Sequence, residues 1–385
     1  MINLTHRYTL LTLLFVLTCF PAVAQEKPTI KIPDVLGYQT MTGDLHTHTV
    51  FSDGQVWPTI RTDETWNEGL DLIAITDHVE STNLFRLKRV FGDSLEMERE
   101  GGFFLDRNLS HEIASEAIQS RDIFILRGAE LSRTMPPGHH NAIFLSDVNK
   151  INTPHPQWKE AFTAAREQGA FIFWNHPYSY HYPETTTIWW EEHTWLLEND
   201  MMHGIEVVNG RRYDPVAHQW AIDKNLAIIG NTDIHGPSYA LHGGEKRTMT
   251  LIFTKERSEE GIREALFARR TMAFYNNTLI GDRDFLDAIF FNSISVESVT
   301  RTDNGFQAVI QNPTDLTFEL HRSENNDPSL NFFDFKTIPA NSQTTIRIYT
   351  ENPERYDRID LNVVAENLLM EPNTGLPLTL TFIPE

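Results

Sequence analysis

Short apolar runs alternate with amphipathic stretches from Met41 to about Arg270. The apolar runs, which we predict as strands, are GDLHTH, LDLIAITDH, DIFILRGAEL, NAIFLSD, AFIFWNHP, GIEVVNG and LAIIGNTDIH. The stretches between them, which we predict as helices, are Pro58 to Glu68, Leu95 to Ser120, Trp158 to Gln168, Trp189 to Glu198 and Pro215 to Lys224. This alternation is typical of βα units and predicts an α/β domain built on a mainly parallel sheet or barrel.

The pattern changes after about Leu286. Strand-like runs such as FQAVIQ and TTIRIYT are there broken by Asn, Asp, Gly and Pro. This texture predicts a small all-β sandwich. We expect an N-terminal lead-in over residues 25–40, a barrel domain over 41–280 and the sandwich over 286–385.

The first 24 residues have the pattern of a cleaved signal peptide. One Arg is followed by an apolar run and by the small-residue triplet Ala22-Val23-Ala24. A membrane anchor is the alternative, but the run is short for a span of about 20 residues. A lipoprotein through Cys19 is less favoured, because Thr18 precedes it where a smaller residue is wanted. We therefore expect a secreted or periplasmic protein whose mature chain has no transmembrane segment.

Composition restricts the chemistry. Cys19 is the only cysteine, so disulfides and thiolate metal ligands are not available to the mature chain. The formal net charge of −21 argues against a general nucleic-acid-binding surface. No Gly-x-Ser-x-Gly elbow occurs. A metal bound here would need His, Asp and Glu as ligands.

Two pairs of ionisable residues, one of two histidines and one of an aspartate and a histidine, lie at the ends of the first and last predicted strands of the barrel domain. His46 and His48 are two residues apart, so they project from the same face of a strand. Asp233 and His235 have the same spacing. The first and last strands of a closed barrel are neighbours, so we expect the pairs to converge.

Further ionisable residues follow other strand candidates. They are Asp53, His78, Glu130, His176 and either His139 or His140. A single residue of this kind is more often structural than a metal ligand. Their recurrence at strand ends, however, is unlikely to be accidental and favours a metal site. Active sites of barrels lie at the C-terminal ends of the strands. A nitrogen and oxygen ligand set of this kind suits Zn²⁺, Mn²⁺ or Fe²⁺, and a bridging carboxylate permits more than one ion.

Six segments in order carry a family resemblance: DLHTHTVFSDG, ITDH, AELS, GHHNA, NHP and GNTDIHG. Together they resemble the polymerase and histidinol phosphatase (PHP) family, a branch related to the amidohydrolases. The resemblance covers residues 41 to about 275. It implies a distorted (βα)7 TIM-like barrel whose full site holds three divalent metal ions.

The resemblance also implies how the ligands divide among the ions. The first ion would take His46, His48, Glu130 and Asp233; Glu130 would bridge to a second held by His139 and His176; the third would take Asp53, His78 and His235. The family pattern Gly-His-x-Asn-Ala favours His139 over His140. All nine positions carry a residue that can bind metal.

The activity implied is that of a metal-dependent phosphoesterase acting on a phosphomonoester or a small phosphodiester. A hydroxide bridging two of the ions would be the nucleophile, and Asp53, His235 and Asp77 are the candidates for catalytic roles. Asp77 would orient a ligand or shuttle a proton, and a loop-capping role explains it equally well. Candidates for holding the substrate are Arg133, Arg211, Arg212, Lys246 and Arg247 for phosphate, with Tyr178 and Tyr180 for a sugar or base.

Two other functions fit the same residues. One is hydrolysis of a non-phosphate bond, as in related amidohydrolases, and a cluster of Arg and Lys beyond the metals would argue for phosphate instead. The other is a surface binding protein with a metal-loaded barrel. A polymerase proofreading module is disfavoured by the leader. Exposed aromatics on the sandwich would indicate carbohydrate binding, whereas packing against the barrel mouth would make the sandwich part of the pocket.

Overall fold

The computed structural model describes residues 26–80, 96–99, 102–119, 121–151, 158–178, 187–242 and 246–384. The predicted leader and Tyr180 lie outside these residues. The strands are β1 Gln39–Thr47, β2 Leu72–Ile75, β3 Glu96–Arg99, β4 Gly102–Leu105, β5 Phe124–Leu131, β6 His140–Ile143, β7 Phe171–Trp174, β8 Gly204–Asn209, β9 Arg212–Tyr213, β10 Ala227–Asn231, β11 Met249–Thr254, β12 Thr271–Tyr275, β13 Thr278–Gly281, β14 Ser295–Thr302, β15 Gly305–Asn312, β16 Phe318–Arg322, β17 Phe335–Ile338, β18 Ser342–Tyr349, β19 Ile359–Glu371 and β20 Thr374–Phe382. The helices are α1 Pro58–Asn67, α2 Leu109–Glu116, α3 Trp158–Glu167, α4 Glu191–Glu198, α5 Pro215–Asp223, α6 Ser238–His242, α7 Glu259–Phe267 and α8 Arg283–Ser293.

Each of the seven apolar runs forms a strand, and these strands lie side by side in one large mixed sheet. Their order is β10-β8-β7-β6-β5-β2-β1, continued by β11, β12 and β13. Pairs β1–β2, β2–β5, β7–β8 and β8–β10 are parallel, whereas β6 is antiparallel to both of its neighbours. The sheet therefore departs from a regular βα repeat, and the seven-fold barrel stays a prediction.

The two ends of this strand series meet. The backbone N–H of His48 donates to the carbonyl of Ile234 at 3.0 Å, and that of Leu45 donates to Asn231 Oδ1 at 2.8 Å. The segments that follow β1 and β10 thus lie against each other, as the sequence predicted for the first and last strands.

The central strands are apolar because both of their faces are covered. All four residues of β2 are buried, as expected for a parallel strand between layers. The surrounding helices begin at ordinary start signals. Pro58 opens α1, and Asp214 caps α5 by accepting from the backbone N–H groups of Val216 and Ala217.

The helix predicted from Leu95 to Ser120 is wrong. Among the described residues of this stretch, Glu96–Arg99 and Gly102–Leu105 pair as antiparallel strands, and Leu109–Glu116 is helical. Glycine has low helix propensity, so the Gly101-Gly102 pair in the sequence disfavours a helix here. The other four predicted helices are confirmed, with ends within two residues of those expected.

The C-terminal region is a two-layer β-structure whose second layer continues the large sheet. One layer is β14-β15-β18, and the other contains β17, β16, β19 and β20. Strand β19 pairs in parallel with β13 through Leu279↔Leu368 and Ile280↔Leu369. Phe306 and Phe318 pack in one core with Phe290 of α8. The predicted start of this domain at residue 286 falls inside α8 and stays a prediction.

Among the residues that the structure describes, no helix is long and apolar enough to cross a membrane.

Candidate metal centre

Four side chains converge at the C-terminal end of β1. His46 Nε2 lies 3.1 Å from His48 Nε2, 3.3 Å from Glu130 Oε2 and 3.2 Å from Asp233 Oδ1. His48 Nε2 lies 3.2 Å and 3.1 Å from the same two oxygens. His46, His48 and Glu130 are fully buried. The two histidine nitrogens therefore both face the same two carboxylate oxygens.

These separations suit a tetrahedral metal ion. Metal–ligand distances of about 2.0–2.1 Å give a tetrahedron whose edges are roughly 3.3–3.4 Å. The observed edges of 3.1–3.3 Å are close to that value. The donor set at this point fits a divalent ion.

The second oxygen of Glu130 faces another pair of histidines. Glu130 Oε1 is 3.0 Å from His139 Nδ1 and 3.5 Å from His176 Nε2. It also accepts a hydrogen bond from Asn175 Nδ2 at 2.9 Å. Each oxygen of Glu130 thus belongs to a different cluster, which is the arrangement of a bridging carboxylate.

A third group lies on the outer side of His48. Asp53 Oδ2 is 3.3 Å from His78 Nε2 and 3.2 Å from His235 Nε2. The His48 ring stacks between those of His235 and His78, with ring centroids 4.2 and 4.6 Å away. Asp53 and His235 are 49% and 36% exposed, so this group forms the entrance to the cluster.

His139 and His140 point to opposite sides of the chain. His139 faces Glu130, as described above. His140 is fully buried, with its Nδ1 3.3 Å from the Gly138 carbonyl and its ring stacked on Trp174. Of the two, only His139 lies among the other candidate ligands.

The cluster holds opposite charges together. Burial lowers the pKa of His46, but the carboxylates of Asp233 and Glu206 outweigh it and raise that pKa well above its ordinary value. Burial raises the pKa of Glu130, but His78 and His46 hold it well below its usual range. For His78, Glu130 and Asp53 overcome burial and raise the pKa to about 9. The carboxylates thus draw positive charge into the cluster, and bound metal ions can replace the protons.

Sequence reasoning missed two buried carboxylates beside the cluster. Glu206 Oε1 is 2.9 Å from His46 Nδ1. Asp44 accepts from the backbone N–H of His46 and from Arg247. Glu206 lies within the predicted strand GIEVVNG and Asp44 within GDLHTH. A carboxylate inside a predicted buried strand was the sequence signal that could have identified each of them.

Asp77 does not point at the cluster. Its carboxylate accepts from the Thr49 backbone and hydroxyl at 2.8 and 2.7 Å and from Ser52 Oγ at 2.7 Å. Those bonds fix the turn that leads from His48 to Asp53. The geometry favours an orienting role for Asp77 over proton transfer.

A cavity of about 650 Å³ opens over the metal-ligand cluster. Besides candidate metal ligands, it is lined by Tyr178, Asn209, Arg211 and Arg212. The Arg212 guanidinium lies over the Tyr178 ring, 3.3 Å from its centroid. Two of the predicted arginines and the predicted tyrosine therefore share the cavity with the clustered ligands.

The other predicted phosphate-binding cations lie elsewhere. Arg133 is buried and pairs with Glu80. Lys246 donates to the Asp315 carbonyl at 2.8 Å, on the side of the C-terminal domain. Arg247 is buried between Asp44 and Glu68. These three side chains are held by structural partners and do not line the cavity.

Fold and site together define a two-domain protein with a histidine and carboxylate cluster for metal ions. A family model described as an Ig-like domain (DUF5001) matches residues 293–381. The crystal structure of a two-domain protein from Bacteroides vulgatus ATCC 8482, containing a predicted PHP-like metal-dependent phosphoesterase, is 40% identical. It covers 93% of this chain and 100% of its own, with a TM-score of 0.84. The chain therefore belongs to the PHP-like family, in the two-domain form with a C-terminal Ig-like domain.

Two other structures show a weaker similarity to the chain. A candidate metal-dependent phosphoesterase from Bifidobacterium adolescentis is 16% identical, over 59% of this chain and 96% of its own, with a TM-score of 0.40. An amidohydrolase from Chromobacterium violaceum, solved with sulfate and no metal, is 16% identical, over 52% and 89%, with a TM-score of 0.36. No curated protein shows significant similarity to the chain.

Proposed function

We propose that this protein is a metal-dependent phosphoesterase that hydrolyses a phosphomonoester or a small phosphodiester at a centre of three divalent ions. The observation that carries the proposal is the position of Glu130, whose two oxygens each complete a separate group of histidines. Bridging carboxylates of this kind hold metal ions close enough to act on one substrate.

Three ligand groups support three ions. His46, His48, Glu130 and Asp233 would hold the first; His139 and His176, with Glu130, the second; Asp53, His78 and His235 the third. Four overlapping groups of donor atoms lie close enough to hold an ion: His48, Asp53, His78 and His235; His46, His48 and Glu130; His46, His176 and Asp233; and His78, Glu130 and His139. All nine proposed ligands occur in these groups. The nitrogen and oxygen donors suit zinc, manganese or iron.

Bound divalent ions would supply Lewis acidity and lower the pKa of water from 15.7 towards about 7. The chain's own residues would then position the substrate and move protons. Asp53 and His235 are in contact, partly exposed and at the cavity entrance. Both would ligate the third ion, so we assign them the catalytic role of holding that ion beside the leaving group; the Asp53 oxygen that is not bound to the ion would take part in the accompanying proton transfer.

The cavity chemistry favours a phosphoester over an amide. Arg211 and Arg212 line the same cavity as the candidate metal ligands, and guanidinium groups match the oxygens of a phosphate in charge and geometry. Tyr178, beneath Arg212, offers a flat surface to a sugar or base in the leaving group. A cavity of about 650 Å³ leaves room for such a group beside the phosphate.

We place the mature protein outside the cytoplasm, in the periplasm or secreted, on the sequence pattern of residues 1–24. N-terminal sequencing of protein exported by its native host is the measurement. A mature terminus at Gln25 supports this location, and an intact Met1 in the soluble intracellular fraction contradicts it.

The test of the activity is metal-dependent turnover. The purified protein is stripped with chelator, reloaded with Mn²⁺, Zn²⁺ or Fe²⁺, and assayed with an aryl phosphate, an aryl phosphodiester and a panel of phosphorylated metabolites. We expect phosphate release that depends on metal and disappears in Asp233→Ala. If amide or carboxylic ester substrates were hydrolysed by the reloaded protein and no phosphoester were, the proposal would fail.

A further inference from the structure

Glu206 is a buried carboxylate that contacts two candidate ligands of different ions. It lies in the middle of β8 and is 1% exposed. Its Oε1 is 2.9 Å from His46 Nδ1, and its Oε2 accepts from the backbone N–H of His176 at 2.7 Å. His46 belongs to the first ligand group and His176 to the second. One side chain thus reaches both.

Two asparagine amides complete the surroundings of Glu206. Asn209 Nδ2 donates to Oε2 and Asn231 Nδ2 donates to Oε1, both at 2.9 Å. The orientation of the Asn231 amide is fixed independently, because its Oδ1 accepts from the Leu45 backbone N–H at 2.8 Å. The amide nitrogen of Asn231 must therefore face Glu206.

Because of these contacts, Glu206 can act towards His46 only as a hydrogen-bond acceptor. A carboxylate offers about four lone-pair positions to donors, and three are filled by the His176 N–H and the two amides. The fourth faces His46 Nδ1 and can only accept. The proton of a neutral His46 therefore sits on Nδ1, and the lone pair of Nε2 is directed at Glu130, His48 and Asp233.

We propose that Glu206 is a positioning residue that locks the Nδ1–H tautomer of His46 and, through the His176 backbone, sets a ligand of the neighbouring ion. A histidine can ligate metal only through an unprotonated nitrogen, and an outer carboxylate that fixes the other nitrogen strengthens the site. The bonds of Glu206 tie β8 to β1, β10 and the segment after β7, so it aligns ligands that arrive from separate strands.

The isosteric variant Glu206→Gln breaks this arrangement without a change in size. A glutamine has one carbonyl oxygen and an NH₂ group, so it cannot accept from all four donors. If the NH₂ group takes the place of Oε1, His46 keeps a partner only by moving its proton to Nε2, on the metal side. If it takes the place of Oε2, it faces the backbone N–H of His176 and displaces that ligand. We expect Zn²⁺ affinity, measured by competition with a chromophoric chelator, to fall about 10- to 100-fold.

Asp71→Asn is the matched control. Asp71 is also a carboxylate that accepts from several donors, namely Lys27, Arg257 and the Thr42 backbone. It lies at the N-terminal end of β2, whereas the candidate ligands lie at the C-terminal ends of the strands. We expect this variant to lose stability and to keep its Zn²⁺ affinity. A loss confined to stability in Glu206→Gln as well would assign Glu206 a structural role and overturn the proposal.

The tautomer itself can be measured in the unaltered protein. Long-range ¹H–¹⁵N spectra of histidine-labelled, Zn²⁺-loaded protein distinguish Nδ1–H from Nε2–H rings, and His46→Gln identifies the signal. We expect a protonated Nδ1 and a metal-bound Nε2. The opposite pattern at His46 overturns the proposal, even if Glu206→Gln does not fold. Neither measurement uses turnover, so both stand apart from the activity proposed above.

Discussion

The C-terminal domain and the metal-ligand end of the N-terminal strands differ in the residues that they bury. In the C-terminal domain, β20 alternates buried and exposed residues, and its buried positions are Leu376, Leu378, Leu380 and Phe382. At the C-terminal ends of the N-terminal strands, several of the most buried residues are His, Asp, Glu and Asn. Buried polar groups cost free energy unless they are paired. The first region is organised for stability, and the second gives up stability to hold a reactive cluster.

The largest expected effect comes from removing a ligand in the polar region. His46→Ala takes away one of the four donors around the first ion. We expect bound metal per chain, measured by elemental analysis, to drop by at least one ion and phosphoesterase turnover to fall by roughly 100-fold or more, beyond the loss typical of outer partners. The control is His321→Ala, an exposed histidine on β16 of the C-terminal domain, which should match the wild type. Wild-type metal content in His46→Ala would contradict the ligand assignment.

The converse experiment removes one large side chain from the apolar core of the C-terminal domain. Phe318 is fully buried and packs against Phe290 with ring centroids 4.9 Å apart. Phe318→Ala should lower the free energy of unfolding by about 3–5 kcal/mol, as measured by urea denaturation. The metal content of the folded variant should not change. A loss of metal in protein that is still folded would show that packing around Phe318 is coupled to the metal centre, through the shared core that also contains Ile73 and Ile75 of β2.

A third test asks how the buried neutral histidines of the N-terminal domain respond to acid. His193 is fully buried, and burial lowers its pKa to about 4, although its Nε2 lies 2.7 Å from the Pro137 carbonyl. Its ring stacks on Trp174. The unfolded chain takes up this proton near pH 6.5, whereas the folded chain resists it until about pH 4. Stability contributed by His193 is therefore present above pH 6.5 and lost as the pH falls towards 4, by at most about 3 kcal/mol.

The measurement is urea unfolding in chelator at pH 7.5, 6 and 5. His193→Gln should show a shallower fall than the wild type, and His321→Gln should follow the wild type. Equal slopes for wild type and His193→Gln would show that His193 does not contribute to the acid response.

The smallest expected effect is at the contact between the two regions. Tyr213, beside Arg212 on β9, has its hydroxyl 2.9 Å from His218 Nδ1. Burial raises the pKa of Tyr213 to about 12, and the backbone N–H of Asn373, in the turn between β19 and β20, opposes that rise. Tyr213→Phe removes the hydroxyl and both of these interactions but keeps the ring. A hydrogen bond is worth about 0.5–1.5 kcal/mol, so we expect KM for an aryl phosphate to rise about 2- to 10-fold with little change in kcat.

His218→Leu removes only the bond within the N-terminal domain and serves as the comparison. If it raises KM as much as Tyr213→Phe does, the Asn373 contact has no part in shaping the cavity. If Tyr213→Phe has the larger effect, the C-terminal domain helps to hold the arginine-bearing strand.

The strand positions were predictable from the sequence because each apolar run has the length and periodicity of a buried strand. The helix predicted near residue 100 failed, because an amphipathic pattern there was compatible with paired strands and the Gly101-Gly102 pair disfavours a helix. The grouping of the candidate ligands followed from the order of the family motifs, and the structure brings those residues together. Arg133 and Lys246 were predicted beside the substrate from their positions after strands, but such positions do not show which partner a long side chain meets.

The sequence by itself determined the residue types available for metal binding, the presence of a single cysteine at position 19, and the same-face spacing of His46 with His48. Spacing along a strand has a fixed geometric meaning, so these inferences needed no tertiary information. Only the tertiary structure decided that Glu130 faces two histidine groups, that Glu206 stands behind His46, and that Arg212 rather than Arg133 enters the cavity. Those relations join residues from 9 to 160 positions apart, and they depend on strand order and side-chain direction, which no local pattern encodes.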